Sequence, residues 1–184
     1  RGIGFEICRE LLQKGFSIHV LAGQESTLFE SVSLLQQYGP VAYTSIDLTC
    51  RAQIHSFTSR WTDPLWAVIN NAGIWMEERI DEEDLCVWDR IMRLNLDAVY
   101  FLTKGLLPSL LDGGRIINIS SQLGLTGRAG FGAYCASKHA VIGLTRCWAL
   151  ELGYRAITVN AVCPGWVRTK SNLDEISQWA ALEG

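Results

Sequence analysis

Short, largely apolar runs alternate with helix-patterned segments along the whole chain, and this alternation restricts the fold more than any other feature. The runs Phe16–Leu21, Val41–Ile46, Leu65–Ile69, Arg115–Ile119 and Ala156–Val162 read as strands. Helical patterns precede and separate them. The first begins after Gly2-Ile3-Gly4, sets Ile7, Leu11 and Leu12 on one face, and closes at Gly15. Glu25–Gln37, Ala52–Trp61, Trp88–Leu111 (with a break near Pro108), Phe131–Leu152 and Leu173–Leu182 are the others. Gly113-Gly114 reads as a turn and 124–132 as a glycine-rich loop. Strands apolar on both faces belong in a sheet covered by helices on both sides. The expected class is α/β, a doubly wound parallel sheet, in one domain spanning residues 1–184.

Composition narrows the function classes. The chain has 184 residues, enough for one real core, and 48% of them are apolar, which excludes disorder. No apolar run approaches the about 18 residues of a membrane-spanning helix, so no membrane partner is expected. The net charge is −3 with both signs scattered and no basic stripe, so no nucleic-acid partner is expected either. Cysteines stand at 8, 50, 86, 135, 147 and 163 with no CxxC and no metal-like spacing against His19, His55 or His139. They read as small buried residues and reduced thiols, which suits a cytoplasmic protein without a metal. The acidic stretch Glu77–Asp84 reads as a solvated surface.

The polar signals cluster just after predicted strands: Asp47, Asn70–Gly73, Ser120-Ser121 and Pro164-Gly165. Ligands of open α/β sheets bind at the carboxyl ends of strands. In the helix that follows, Tyr134 and Lys138 are four apart and share a face. A tyrosine titrates near 10, and a fixed ammonium beside it favours the phenolate. A lowering of about 2–3 units, worth roughly 3–4 kcal/mol, would make the pair an acid/base near neutral pH.

These stretches, with RGIG at 1–4, DLT at 47–49, NNAG at 70–73, Asn95-Leu96, GRIINISS at 114–121, YCASK at 134–138 and ITVNAVCPGWVRT at 157–169, run in the order of a known family. The chain resembles the short-chain dehydrogenase/reductases, in a carbonyl reductase-like, single-domain Rossmann form. The resemblance implies an oxidoreductase that moves a hydride between NADP(H) and a small-molecule carbonyl or alcohol. Ser121, thirteen residues before Tyr134, matches the family's catalytic serine and would polarise the carbonyl oxygen; Ser120 is its competitor. Tyr134 is the general acid/base. Lys138 tunes it and binds the nicotinamide ribose. Asn95 supports a proton relay.

For the cofactor, the resemblance implies contacts from Arg1, Gly2, Ile3 and Gly4 at the pyrophosphate loop. Asp47 and Leu48 would lie at the adenine, and Asn71, Ala72 and Gly73 beneath the ribose. Pro164, Gly165, Val167 and Thr169 would lie over the nicotinamide, with Tyr134 and Lys138 beside it. Gly23 stands where an acidic residue would clasp the ribose 2′-OH, and Gln24 and Arg1 stand where NADP-preferring members carry basic residues. NADP(H) is therefore expected over NAD(H). Trp75, Trp88, Trp166, Leu123, Gly124, Arg128 and Phe131 are candidates for the walls of a substrate pocket. Family members pair through their two long helices, so the resemblance implies a homodimer or homotetramer.

The chain departs from the family pattern at both ends. The first strand with its Thr-Gly is missing before Arg1, as is a strand after the last helix. The expectation is a fragment of a longer chain. Two other readings stand beside the enzyme: a catalytically idle nucleotide-binding scaffold, and a truncated product without function.

Overall fold

The computed structural model describes residues 2–81 and 86–167. Arg1, the end of the acidic run at 82–84, Thr169 and the expected helix at 173–182 lie outside the described residues. The chain forms two compact units, one of residues up to Ile46 with 166–167, the other Asp47–Gly165.

In the first unit, α1 (Gly2–Gln13) leads to β1 (Ile18–Ala22), α2 (Glu25–Leu35) and β2 (Val41–Ser45). β1 and β2 pair in parallel from Ile18↔Val41 to Ala22↔Ser45. Leu12, Leu28, Val32, Leu35 and Ile46 are its buried apolar residues. The glycines at the start differ from expectation: Gly2, Ile3 and Gly4 are not a loop before the helix but its first turn. His19 hydrogen-bonds the Thr44 hydroxyl across the two strands at 2.8 Å, a structural task.

The second unit holds α3 (Arg51–Thr58), β3 (Leu65–Asn70), α4 (Cys86–Met92), α5 (Ala98–Leu106), β4 (Leu110–Ile119), α6 (Gly132–Glu151) and β5 (Thr158–Val162). Its sheet is parallel, in the order β3-β4-β5. The strands end in register, with Asn70 opposite Asn118 and Ile119 opposite Val162. The segments after them therefore leave the sheet at one edge. Ser120 N–H donates to Val162 O at 2.8 Å and Gln122 N–H to Pro164 O at 2.9 Å, which carries the pairing beyond the strands.

Two expectations change here. The long helix ends at Leu106, because Pro108 converts the chain to a single 3₁₀ turn, Leu107–Ser109. The strand then starts at Leu110 and runs through Gly113-Gly114, so those glycines lie within β4 rather than in a turn before it. A register shift between Leu65 and Ala67 absorbs the irregularity. The cysteines also differ: all six are free, but Cys135 alone is buried, and Cys86 and Cys147 are exposed.

A buried polar ladder fastens helices to this sheet. Asn70 Nδ2 donates to Thr103 Oγ1 at 2.9 Å and to Asn118 Oδ1 at 2.7 Å. Asn118 Nδ2 donates to Thr145 Oγ1 at 2.8 Å, and Thr145 donates on to Val141 O at 2.8 Å. Thr103 belongs to α5 and Thr145 to α6, so β3 and β4 hold both helices through satisfied side chains. Replacing Asn118 by Leu would strip Asn70 and Thr145 of a partner each. We expect Asn118→Leu to lose about 2–4 kcal/mol of stability, read from the urea midpoint and slope. A loss below about 0.5 kcal/mol would show that the ladder does not hold the unit together.

Candidate active site

The site is built where the ends of β3, β4 and β5 meet the start of α6. Lys138 sits in α6 with 5% of its surface exposed. Its ammonium donates to the carbonyl of Ile119, the last residue of β4, at 2.9 Å. In return the Ser120 hydroxyl donates to the Lys138 carbonyl at 2.9 Å. A Cβ on Gly124 would lie 2.9 Å from that same carbonyl, so only glycine lets the loop pass.

This arrangement separates the two serines. Ser120 is spent on the helix backbone. The Ser121 hydroxyl meets the Tyr134 phenol and accepts from Leu123 N–H at 3.1 Å. Tyr134 packs with Ile74 and Met76 on the apolar cluster Val87, Ile91 and Ala133.

Asn95 reaches the same place by a different route. The helix between α4 and α5 widens into one π turn, Arg93–Asp97, a distortion common at functional sites. Asn95 is fully buried there. Its side-chain amide mimics a strand: Oδ1 accepts from Ile74 N–H and Nδ2 donates to Ile74 O, both at 2.8 Å. Nδ2 also reaches Ser137 Oγ at 3.2 Å, and Ser137 donates to Tyr134 O at 2.7 Å. A Cβ added at Gly73 would stand 3.2 Å from Asn95 Oδ1 and 3.4 Å from Lys138 Nζ. Asn95, Ser121, Tyr134, Lys138 and Gly73 are thus one cluster. Ser137 was not singled out in the sequence, although its place three residues after Tyr134 puts it on the same helix face.

The electrostatics depart from the simple expectation for a Tyr–Lys pair. Burial pushes the Tyr134 phenol above its ordinary value, more than the Ser121 hydroxyl lowers it. The Lys138 ammonium lies 5.7 Å from the Tyr134 ring centroid and donates to Ile119 O. Burial instead lowers Lys138 itself to about 8, with Cys163 acting weakly in the other direction.

Other sequence candidates fall as follows. The Asp47 carboxylate accepts from Thr49 N–H at 2.9 Å and Thr49 Oγ1 at 2.7 Å, which lowers its pKa and makes it a cap of its own turn. Leu48 is buried, Asn71 half-buried, and Ala72 exposed. Gly165 stands against Gln122, where a Cβ would be 3.1 Å from Oε1. Gln24 is exposed just before α2 and accepts from Thr27 Oγ1 at 3.2 Å. Val167 and Trp166 are exposed, as is Trp88 on α4. Trp75, by contrast, faces Phe131, with ring centroids 5.8 Å apart.

The model of the short chain dehydrogenase family matches residues 1–179. This chain belongs to the short-chain dehydrogenase/reductase family. An uncharacterised oxidoreductase of Bacillus subtilis, YxjF, is 36% identical over 96% of this chain and 71% of its own length. The D-beta-hydroxybutyrate dehydrogenase of Rhizobium meliloti is 34% identical over the whole of this chain and 74% of its own. Among solved structures, an actinorhodin polyketide ketoreductase variant with NADPH aligns with a TM-score of 0.88 at 32% identity, over 98% of this chain and 72% of the other. Membership fixes the fold class as the α/β Rossmann fold and the broad activity as that of an oxidoreductase. Among the described residues no helix is long and apolar enough to cross a membrane.

The buried lysine gives a pH test. Unfolded, its ammonium titrates near 10.5; folded, at about 8. Below about pH 8 both states carry the charge, and a burial cost of about 3 kcal/mol is present in full. As pH rises through 8 toward 10.5 the folded state sheds the proton first, so the cost fades. Relative to Lys138→Met, the wild type should gain about 1 kcal/mol of stability between about pH 7 and about pH 9, measured by urea unfolding. Parallel curves for the two proteins would contradict the depressed lysine.

Proposed function

We propose that this short-chain dehydrogenase/reductase interconverts a small-molecule carbonyl and its alcohol with NADP(H), using Ser121, Tyr134, Lys138 and Asn95. The observation that carries the reading is the Ser121 hydroxyl against the Tyr134 phenol, with buried Lys138 one turn further along α6.

The residues present suit a dinucleotide. The Lys138 ammonium has three N–H groups and places one on Ile119 O, which leaves two for ribose hydroxyls. Gly73 carries no side chain to crowd it: a Cβ there would lie 3.4 Å from the ammonium nitrogen. When bound, the nicotinamide supplies the hydride.

The protein's own contribution follows from the site. Tyr134 is held protonated by burial at neutral pH and gives its proton to the carbonyl oxygen in the reductive direction. Ser121 donates to the same oxygen as charge builds on it. Lys138 holds the ribose. Asn95 fixes Ile74 and, through Ser137, the backbone of Tyr134, so its amide sets the frame in which a proton is returned to the phenol.

For the remaining cofactor contacts the reading is the family's. Arg1, Gly2, Ile3 and Gly4 belong at the pyrophosphate, Asp47, Leu48, Asn71 and Ala72 at the adenosine, and Pro164, Gly165, Val167 and Thr169 at the nicotinamide. NADP(H) is favoured over NAD(H) by Gly23 and neutral Gln24 after β1, which carry no carboxylate against a 2′-phosphate. NADPH in the solved relatives, a metagenomic blue fluorescent protein among them, supports the same choice. One dinucleotide-binding domain, a cytoplasmic place and a homodimer or homotetramer complete the reading; the six free thiols favour a reducing compartment.

Tyr134→Phe should lower kcat/KM at least about 1,000-fold while NADPH affinity, read by fluorescence titration, changes less than about threefold. Turnover within about tenfold of wild type would overturn the assignment. NADPH should bind at least about tenfold tighter than NADH in the same titration, and equal affinities would overturn the cofactor choice.

A further inference from the structure

The helix that carries Tyr134 begins without a side-chain cap. Phe131 stands at the N-cap position of α6 and makes no side-chain capping bond, and no acidic residue lies in the first turn. The first turn of a helix has N–H groups without helical partners and is where helices fray. Tyr134 is the third residue of α6, so it stands on this turn. Its ring packs on the cluster of Val87, Ile91 and Ala133. Apolar contacts have no direction and do not by themselves aim a hydroxyl.

A directed anchor comes from Ser137, which is fully buried. Its hydroxyl donates to Tyr134 O at 2.7 Å and accepts from Asn95 Nδ2 at 3.2 Å. The sense of these bonds follows from Ile74. Asn95 Oδ1 accepts from Ile74 N–H and Nδ2 donates to Ile74 O, both at 2.8 Å. An amide turned over would set oxygen against oxygen and N–H against N–H there, so the NH2 group is the one that faces Ser137. A hydroxyl has one hydrogen, and with Asn95 donating to its oxygen that hydrogen goes to Tyr134 O.

A serine within a helix commonly bonds a carbonyl three or four residues back, and that bond alone is only local. Here the same oxygen also takes the amide of Asn95, which sits in the π turn and holds the segment after β3. The carbonyl at the other end is the one that, in an α-helix, receives the N–H of residue 138. Ser137 therefore bonds the stretch of backbone that joins Tyr134 to Lys138. Only a group that accepts and donates at one atom completes this chain. Alanine breaks it, and threonine keeps it.

We propose that Ser137 is a positioning residue: its hydroxyl carries the Ile74–Asn95 clamp to the backbone of Tyr134 and aims the phenol for proton transfer. The proposal rests on the oxidoreductase reading for what the phenol does.

The test compares Ser137→Ala and Ser137→Thr with the wild type in two measurements. One is NADPH-dependent reduction of ethyl acetoacetate. The other is the NMR resonance of Tyr134 Cζ, in protein made with isotope-labelled tyrosine and assigned by its loss in Tyr134→Phe. Ser137→Ala should lower kcat at least about tenfold while KM for NADPH changes less than about threefold, and should shift the resonance toward that of an exposed tyrosine. Ser137→Thr should stay within about threefold of wild type in kcat and keep the wild-type resonance. In a chain already carrying Asn95→Ala, Ser137→Ala should cost less than about twofold more. An unmoved resonance in Ser137→Ala, turnover within about threefold of wild type, equal losses in the two variants, or losses that multiply with Asn95→Ala would each overturn the proposal. So would a fall in kcat matched by falls in NADPH affinity and thermal midpoint, which marks a merely structural serine. No reduction by the wild type would tell against the proposed reaction, while the resonance in the two variants still decides Ser137.

Discussion

One reciprocal clasp organises the second unit. The ammonium of Lys138 grips the last carbonyl of β4, and the carbonyl of Lys138 is gripped by Ser120, the first residue beyond that strand. Both bonds are buried, where leaving a polar group unpaired costs most. They lock strand end to helix at the level where Ser121 and Tyr134 meet. The residues around the clasp are accordingly small or shaped to it, with Gly124 under the helix carbonyl and Gly73 above the ammonium. The parallel register of β3, β4 and β5 brings the three loops to this point, and the Asn70–Asn118–Thr145 ladder keeps the helices from sliding over the sheet.

Much of this was legible in the sequence because the signals are local. The strands are apolar on both faces and the helices periodic, so all five strands and α6 were readable, four of the strands to within two residues. Tyr134 and Lys138 share a helix face by spacing alone, and both lie in α6. What escaped the sequence depends on contacts remote along the chain. Nothing near Asn95 announces a π turn, and its true partner, Ile74, is twenty-one residues earlier. The extension of β4 back to Leu110 also depends on pairing with Leu65, which no local pattern reveals.

Tyr134 and Lys138 show how far spacing alone carries a physical account. Spacing places an ammonium near a phenol and suggests that it lowers the tyrosine. Burial acts on both partners at once and disfavours the charged form of each: Tyr134 is held protonated and Lys138 moves toward losing its proton. The ammonium is satisfied by a carbonyl rather than by the phenol. Proximity along a helix face fixes geometry, and the direction of titration is decided by how much water the fold removes.

The amide of Asn95 reads only the backbone of Ile74, through one N–H and one C=O. A clamp that ignores side chains leaves the neighbouring residue free to change. The path of this backbone is therefore held independently of the side chains that stand on it. The side chain at Trp75 can change without loss of either clamp bond, so the sequence can vary there while the backbone keeps its place.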